Sequence, residues 1–320
     1  MQTIYVAGGA GFIGSHLVKD LLQKNYTVVA IDNLLTSSKE NIADSLENPN
    51  FHFLEKDVVT LSENDVEGLP TPNFIFHLAS PASPNAKSPR SYIAFGIETL
   101  KVNSRGTENL LQLAQKNNAR FLYASTSEVY GDPAISPQPE TYWGNVNPNG
   151  MRSVYDEGKR FGEALVMAYV RKYTIDARIA RIFNTYGPHM QKDDGRVVSN
   201  FIMQALKNEP LTIYGDGKQT RSFCYVSDLV AGLEKLMFTD ALQGEVVNLG
   251  NPIEKTISDF ATIIKNLTGT SSEIVFEELP SDDPKKRNPD ITKAKHLLGW
   301  EPKVSLEEGL TKTIEYFKNF

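Results

Sequence analysis

The chain has 320 residues and a formal net charge of −6, and 22% of its residues are charged. This length accommodates one large domain or two moderate ones, and the composition is typical of a globular protein. The acidic balance and the lack of a basic stripe argue against nucleic acid as a partner. A single cysteine, Cys224, excludes an internal disulfide and is typical of a reducing compartment.

No charged segment with an apolar run precedes the first predicted strand, and no apolar run reaches the roughly 18 residues of a membrane span. We therefore expect no signal peptide, no contact with a membrane and a cytoplasmic location. We also expect no metal site.

The chain opens with a predicted strand–turn–helix–strand unit. The strand Thr3–Ala7 runs into the glycine-rich turn Gly8–Gly14, a helix is predicted over 15–23, and a strand over 27–31 is followed by Asp32. Glycines in such a turn let the backbone approach a pyrophosphate, and the helix N-terminus offers free N–H groups to the phosphates. A carboxylate after the second strand accepts from adenosine ribose hydroxyls and repels a 2′-phosphate. The unit therefore predicts NAD in preference to NADP.

Strands and helices alternate through the first half of the chain, which predicts parallel strands with right-handed crossovers. Ligands bind at the carboxyl ends of such strands, where the stiff loop 81–84 follows one strand. Asp57 follows another, and there it either contacts adenine or caps its loop. Further strands are predicted over 51–54, 73–80, 120–125 and 177–183, with a helix over 97–116.

We predict an α/β fold with a Rossmann-type doubly wound parallel sheet over 1–180, rejoined by about 222–240, and a smaller C-terminal α/β substrate-binding domain over 181–320. The boundary near residue 180 does not divide the chain cleanly, because the segment that follows Phe223 returns to the first domain in this interpretation. For the smaller domain we predict strands over 211–214, 246–249 and 273–276 and helices over 197–207, 227–238, 258–267 and 306–317.

Two stretches carry the predicted chemistry. One strand ends in Thr126, Ser127 and Glu128, and on a later helix Tyr155 lies one turn before Lys159. A tyrosine is a poor base at its free pKa of about 10, but a nearby lysine and a positive nicotinamide favour the phenolate. Tyr155 then accepts a proton from a substrate hydroxyl while Thr126 or Ser127 hydrogen-bonds the same oxygen. The pattern predicts oxidation of an alcohol.

The order of these motifs, with Arg181–Pro188 after them, resembles the extended short-chain dehydrogenase/reductase superfamily, the NAD-dependent epimerases and dehydratases. Within it, the stretches Ser125–Pro133, Asp193–Phe201, Tyr214–Phe223 and Gly299–Pro302 are similar to the UDP-glucuronate decarboxylases, which make UDP-xylose. The resemblance spans nearly the whole chain. It implies oxidation at C4 of UDP-glucuronate, loss of CO2 from the resulting β-keto acid, protonation at C5 and return of the hydride to C4.

The resemblance also implies roles for single residues. Glu128 lies near the decarboxylation step, and Arg287 matches an arginine near the substrate carboxyl group, which a guanidinium fork binds well. Arg221 suits a diphosphate, and Tyr214 suits stacking on a base. The catalytic set is Tyr155, Lys159, Glu128, Thr126, Ser127 and Arg287. The cofactor set is Gly8, Gly11, Phe12, Ile13, Gly14, Asp32, Asn33, Asp57, Val58, Leu78, Ala79, Tyr155 and Lys159. The substrate set is Pro81, Tyr92, Asn184, Asn200, Tyr214, Arg221 and Arg287.

The loop after Pro84 departs from the family pattern, as though residues were inserted. The family has a tyrosine soon after this proline that contacts the sugar carboxylate. Counted back from Ile97, Tyr92 keeps the family spacing and is the candidate for that role. Gly96 stands where a proline is usual. Both departures concern the sugar and not NAD.

Alternative functions stay open. A 4-epimerase usually lacks the glutamate, and a 4,6-dehydratase usually has Asp-Glu where this chain has Ser127 and Glu128, so the pair favours decarboxylation. A non-catalytic dinucleotide sensor has no need of Tyr155 and Lys159. The family also implies a homodimer through helices near 98–116 and 153–172. The apolar residues of the second helix fit either a core face or a partner face; they are Phe161, Ala164, Leu165 and Ala168.

Overall fold

A computed structural model of the protein describes residues 1–278 and 287–319. The strands are β1 (Thr3–Ala7), β2 (Thr27–Asp32), β3 (Phe51–Glu55), β4 (Phe74–His77), β5 (Arg120–Thr126), β6 (Ala177–Ile182), β7 (Thr185–Tyr186), β8 (Leu211–Tyr214), β9 (Thr220–Ser222), β10 (Cys224–Tyr225), β11 (Val246–Leu249), β12 (Glu254–Thr256) and β13 (Ile274–Glu277). The α-helices are α1 (Phe12–Gln23), α2 (Gly96–Lys101), α3 (Thr107–Asn117), α4 (Ser153–Tyr173), α5 (Val197–Leu206), α6 (Val226–Phe238), α7 (Ile257–Thr268), α8 (Thr292–Leu298) and α9 (Leu306–Lys318).

The chain also forms short helices of the 3-10 and π types. Short 3-10 helices cover Lys39–Ser45, Val58–Thr60, Glu63–Val66 and Ser127–Tyr130. A π turn, Val102–Gly106, joins α2 to α3, so the helix predicted over 97–116 is interrupted. The Asn103 side chain in this turn donates to Ser80 Oγ at 3.0 Å and accepts from the Tyr123 hydroxyl at 2.9 Å. The π turn therefore ties this helix to the ends of β4 and β5.

The large sheet has seven parallel strands in the order β11-β6-β5-β4-β1-β2-β3. The chain runs outward from β1 through β2 to β3 and then crosses back to place β4 on the other side of β1. Such a reversal opens a crevice at the carboxyl ends of the two central strands, where ligands bind in doubly wound sheets. The predicted Rossmann-type fold is confirmed.

The central strands are largely apolar because both faces of the sheet are covered. Alternate residues of β1 point to opposite faces. Ile4 and Val6 pack in the core beneath α1 and α6, and Tyr5 and Ala7 pack in the core beneath α3 and α4. The two cores fix the position of the strand ends, and these ends carry the candidate site.

One strand lies in a different part of the molecule from the one predicted. Val246–Leu249 was predicted for the smaller domain, but β11 pairs in parallel with β6 as an edge strand of the large sheet. Gly244 N donates to Ala177 O at 2.8 Å and guides the chain onto that edge. A short apolar run contains no signal for which sheet it joins, so periodicity alone did not separate the two possibilities.

The C-terminal part contains small two-stranded sheets that pair β7 with β10, β9 with β12, and β8 with β13. Helices α5, α7 and α9 pack on one another beside them. The short helix α8, which was not predicted, ends at Gly299 in the left-handed conformation, with φ of 54°. Within residues 1–278 and 287–319, no helix combines the length and the apolar character that crossing a membrane requires.

Candidate active site

A cavity of about 1030 Å³ lies at the carboxyl ends of β1, β4, β5 and β6 and extends to the C-terminal part. It brings together most of the predicted site residues: Gly8, Gly11, Phe12, Ile13, Gly14, Leu78, Tyr92, Thr126, Ser127, Glu128, Tyr155, Lys159, Asn184, Asn200, Tyr214, Arg221 and Arg287. The predicted residues outside its wall are Asp32, Asn33, Asp57, Val58, Ala79 and Pro81.

The glycine turn is packed so tightly that side chains have no room. Gly8 has φ of +81°, and a Cβ on it would lie 2.7 Å from Ala79 N. A Cβ on Gly14 would lie 2.0 Å from Gly8 O. The turn leads directly into α1, and the first residues of this helix, Phe12, Ile13 and Gly14, line the cavity. This cradle fits the pyrophosphate of a dinucleotide, which needs close backbone approach and a helix N-terminus.

Asp32 holds the glycine turn in place. One carboxylate oxygen accepts from Ala10 N at 3.0 Å, and the other accepts from Leu34 N at 2.9 Å and Ser37 Oγ at 2.7 Å. The carboxylate therefore organises both loops that border the predicted adenosine position. Its contact with the ribose stays a prediction.

The other cofactor residues outside the wall act through the backbone or through capping. Asp57 caps the turn Val58–Thr60 by accepting from Val59 N at 2.8 Å, and Asn33 Nδ2 donates to its other oxygen at 3.1 Å. Of the two alternatives for Asp57, capping is observed, and an adenine contact stays a prediction. Val58 is buried and lies against Gly106.

Tyr155 and Lys159 lie on the buried face of α4 against the end of β5. The Thr126 side chain lies near the Tyr155 phenol and acts to lower its pKa. Lys159 Nζ donates to Ala124 O at 2.8 Å and lies 5.8 Å from the centre of the Tyr155 ring. Burial raises the pKa of Tyr155 to about 12 and lowers the pKa of Lys159 to about 7. The protein without cofactor therefore keeps the phenol protonated, and the predicted phenolate requires further positive charge.

Glu128 is held between two guanidinium groups. It follows β5, where Thr126 Oγ1 caps the 3-10 turn by accepting from Glu128 N at 3.2 Å. Arg152 binds one of its carboxylate oxygens and Arg287 binds the other. Burial alone would raise the pKa of Glu128, but the charges of Arg287 and Arg152 outweigh burial, so the pKa is lowered. Glu128 is therefore ionised at neutral pH and holds no proton to donate.

Tyr92 lies flat on Tyr155. The ring centroids are 4.8 Å apart and the planes differ by 9°. The Tyr92 hydroxyl is buried and has no hydrogen-bond partner among the residues that the structure describes. The tyrosine identified by its spacing thus stands beside the catalytic pair with an unsatisfied polar group, which suits a polar ligand atom.

Arg152, Asp156 and Arg196 were not predicted from the sequence. Arg196 lines the cavity, binds Asp194 with an Nη2–Oδ2 distance of 2.8 Å, and acts electrostatically on Tyr155. Burial and then the charge of Glu128 raise the pKa of Asp156. The signals were present, since Asp156 follows Tyr155, Arg152 precedes it at the start of α4, and Arg196 lies in the stretch Asp193–Phe201. No local pattern distinguishes these residues from surface charges.

The residues predicted for the nucleotide line the part of the cavity formed by the C-terminal elements. Asn200 lies on α5 and donates to Gly195 O at 3.1 Å. Tyr214 ends β8 with 38% of its surface exposed, and Arg221 lies on β9 and donates to Thr220 O at 2.8 Å. An amide, an exposed aromatic ring and a guanidinium on separate elements can bind a nucleotide diphosphate.

Residues 4–250 match the family described as "NAD dependent epimerase/dehydratase family". The chain belongs to this family. Among curated relatives, it is 53% identical to UDP-glucuronic acid decarboxylase 2 of Arabidopsis thaliana over 98% of this chain and 68% of the relative. It is 52% identical to UDP-glucuronic acid decarboxylase 1 of Xenopus tropicalis over 99% of this chain and 72% of the relative.

Among solved structures, the chain is similar to UDP-glucuronic acid 4-epimerase of Bacillus cereus in complex with UDP-glucuronic acid and NAD. The two are 31% identical with a TM-score of 0.88, and the match covers 99% of each chain. It is also similar to UDP-glucose 4-epimerase of Thermotoga maritima, with 33% identity, a TM-score of 0.87 and 99% of each chain covered. The predictions of the family, the fold and NAD as cofactor are confirmed.

Proposed function

We propose that this protein is a UDP-glucuronate decarboxylase that forms UDP-xylose. The observation that carries the proposal is Glu128, a buried carboxylate held between Arg152 and Arg287 beside the Tyr155–Lys159 pair. A 4-epimerase has no carbon–carbon bond to break and no need of this cluster. The similarity to named decarboxylases over nearly the whole chain supports the same function.

The first step is oxidation at C4. Bound NAD supplies the hydride acceptor, a positive ring that favours the Tyr155 phenolate, and the hydride that later returns to C4. Tyr155 accepts the C4 hydroxyl proton, and Thr126, which lines the cavity beside the phenol, keeps the oxygen in line. Arg196 lowers the pKa of the phenol against the effect of burial. Lys159 Nζ lies 5.8 Å from the centre of the same ring, so a proton on this amine adds positive charge beside the phenol.

The second step breaks the bond between C5 and C6 of the β-keto acid. Its electron pair moves to the C4 carbonyl to form an enolate, neutral CO2 leaves, and C5 then takes up a proton. Arg287 binds the substrate carboxylate in competition with Glu128, and the unsatisfied hydroxyl of Tyr92 donates to the same group. Glu128 repels this second carboxylate, so departure of neutral CO2 relieves the repulsion. Ser127 lines the cavity between these groups and hydrogen-bonds the sugar.

The C-terminal part binds the uridine diphosphate in this proposal. Asn184, Asn200, Tyr214 and Arg221 line that end of the cavity. The dinucleotide-binding part comprises residues 1–180 and the segment that returns to the large sheet, namely α6 and β11. The reaction then takes place in the cleft between the two parts.

Mass spectrometry after incubation with UDP-glucuronate and NAD tests the function. We expect a product lighter by CO2, with NAD unchanged overall. A product of unchanged mass with a new sugar isomer would indicate 4-epimerisation, and a product lighter by water would indicate dehydration. A protein that binds NAD and leaves every tested UDP-sugar intact would support the sensor alternative.

We further propose that the protein is a homodimer. Phe161 is 53% exposed on α4, and Ala164 and Ala168 are exposed on the same helix face. Ile97 and Leu100 are exposed on the adjacent helix α2. An apolar surface across two packed helices suits a second copy of the same chain. Light scattering of Phe161→Lys should show a monomer, whereas Phe276→Lys, which replaces an exposed phenylalanine on β13, should leave the dimer intact.

We propose a cytoplasmic location. The single cysteine, Cys224, is buried, and burial raises its thiol pKa well above the usual range. A protein with no disulfide for its stability is suited to a reducing compartment. Fractionation of cells that produce the protein, with detection by antibody, tests this location.

A further inference from the structure

The segment 83–92, which we call the strap, forms a compact loop that borders the cavity. Its ends are joined, because Tyr92 N donates to Ser83 O at 3.0 Å. Inside it, Ser88 N donates to Asn85 O at 2.9 Å, and the Asn85 and Ser88 side chains cap the backbone of Lys87 and Arg90. The strap is thus a small ordered unit of the Ω-loop kind. It contains the apparent insertion after Pro84, one of the two departures from the family pattern.

The strap is fastened to the opposite wall of the cavity. Ser83 Oγ donates to Asp194 O at 2.6 Å, and Asn85 Nδ2 donates to Asp193 O at 2.9 Å. Ser88 Oγ donates to Asp193 Oδ2 at 2.8 Å. Each bond joins the loop after β4 to the loop before α5, more than a hundred residues along the chain. The strap therefore crosses the cleft.

Gly195 makes this close approach possible. Its φ is +84°, and a Cβ added to it would lie 2.4 Å from Asn85 Cβ. An alanine at this position is strained by its backbone angle and pushes the strap away. The close packing of Asn85 against the facing loop therefore depends on a glycine at position 195.

The strap is linked to the predicted catalytic residues at two places: through Asp194, to which it is attached, and through Tyr92, at its end. Asp194, whose carbonyl accepts from Ser83, binds the Arg196 guanidinium that acts on Tyr155. At its other end the strap terminates in Tyr92, which stacks on the Tyr155 ring. Closing the strap thus places Tyr92 and Arg196 around the same phenol.

We propose that the strap is a latch that keeps the cavity closed during the reaction, and that Asn85, Ser88 and Asp193 are positioning residues. This inference rests on the proposed function. A decarboxylation with a transient ketone needs a closed site. A ketone that leaves before the hydride returns is lost as product, and the cofactor remains in its reduced form. The latch holds the ketone until the hydride is returned.

Comparison of wild type with Ser88→Ala, Asp193→Ala and the double variant tests the latch. In each variant we expect the share of product released as the 4-keto sugar, relative to the pentose, to rise by roughly threefold to tenfold, the effect of losing one hydrogen bond. Reduced nicotinamide on the enzyme should rise in parallel. The double variant should release no more ketone than the single variants, because both remove the same bond. Ser88→Thr, which keeps the hydroxyl, should restore the wild-type ratio.

Ser62→Ala is the matched control, because Ser62 Oγ also donates to an aspartate, Asp65, on a surface turn that does not line the cavity. It should leave the ratio of ketone to pentose unchanged. Gly195→Ala should also raise that ratio, because its added Cβ pushes Asn85 and the strap away without removing a hydrogen-bonding group. If the wild type forms UDP-xylose and none of the strap variants changes the ratio, the latch is refuted while the decarboxylase proposal stands. If the wild type releases no CO2, the proposed function itself fails.

Discussion

The two ends of the cavity are built by different means. At the end proposed for the cofactor, the cofactor end, the main chain forms the surface, and glycines keep Cβ atoms away from a space where backbone meets backbone. At the end proposed for the sugar, the sugar end, the surface contains charged side chains, with Glu128 between Arg152 and Arg287. Backbone surface has a fixed shape and suits a group that stays bound. Paired charges can exchange partners, which suits a substrate that enters, loses a charge and leaves.

The sharpest test of this difference is Tyr155→Phe, because the tyrosine lies where the two ends meet. Removing the phenol oxygen removes the proton acceptor, so kcat should fall by roughly 10² to 10⁴. The ring remains, and with it the stacking on Tyr92. The amount of NAD released on denaturation should equal that of wild type. Turnover at the wild-type rate would refute the assigned role.

Arg287→Met disturbs the sugar end alone. It leaves Glu128 with one guanidinium in a buried position, so the free energy of unfolding should fall by about 3 kcal/mol. Urea titration measures this loss, and bound NAD should not change. Glu128→Gln combined with Arg287→Met should recover part of the stability and remain inactive. Equal stability of the wild type and Arg287→Met would mean that Arg287 and Glu128 do not form the buried ion pair.

Gly14→Ala disturbs the cofactor end alone. The added Cβ would meet the backbone oxygen of Gly8, which cannot move aside, so NAD affinity should fall by roughly thirtyfold, or about 2 kcal/mol. Calorimetric titration with NAD checks this value. Gly96→Ala is the control, because its Cβ would lie at an ordinary 3.4 Å from Val154. Comparable losses in both variants would argue against a specific cradle.

Per pH unit, the smallest expected effect is the pH dependence at Lys159. The folded protein without cofactor releases this proton near pH 7, whereas the unfolded chain holds it to about 10.4, so unfolding takes up a proton between these values. Stability should therefore rise with pH across this window by up to about 1.4 kcal/mol per unit relative to Lys159→Met. The difference in unfolding free energy between pH 7 and pH 9 measures the slope. Lys116→Met, at an exposed lysine, should leave the slope unchanged.

The sequence predicted most where function depends on neighbours along the chain. Gly8 to Gly14, with the strand and helix around them, act through local geometry, so their pattern indicated the fold and the cofactor. Glu128, Tyr155 and Lys159 were selected through motifs of a few residues, and the structure places them on the wall of one cavity. Arg152 and Arg196 were missed because no local pattern marks a charge that acts on a distant group. Val246–Leu249 was misplaced because its pairing with β6 is decided by the sheet edge left open, not by the strand itself.

The π turn at Val102–Gly106 has a consequence for the outer surface of the molecule. One extra residue in a helix rotates the remainder of that helix by about 100°. Ile97 and Leu100 on one side of the turn therefore face outward, while Leu110 and Leu111 on the other side face the sheet. A continuous α-helix would direct both pairs along one stripe. A single additional residue in the turn is thus enough to give a core helix a second apolar face.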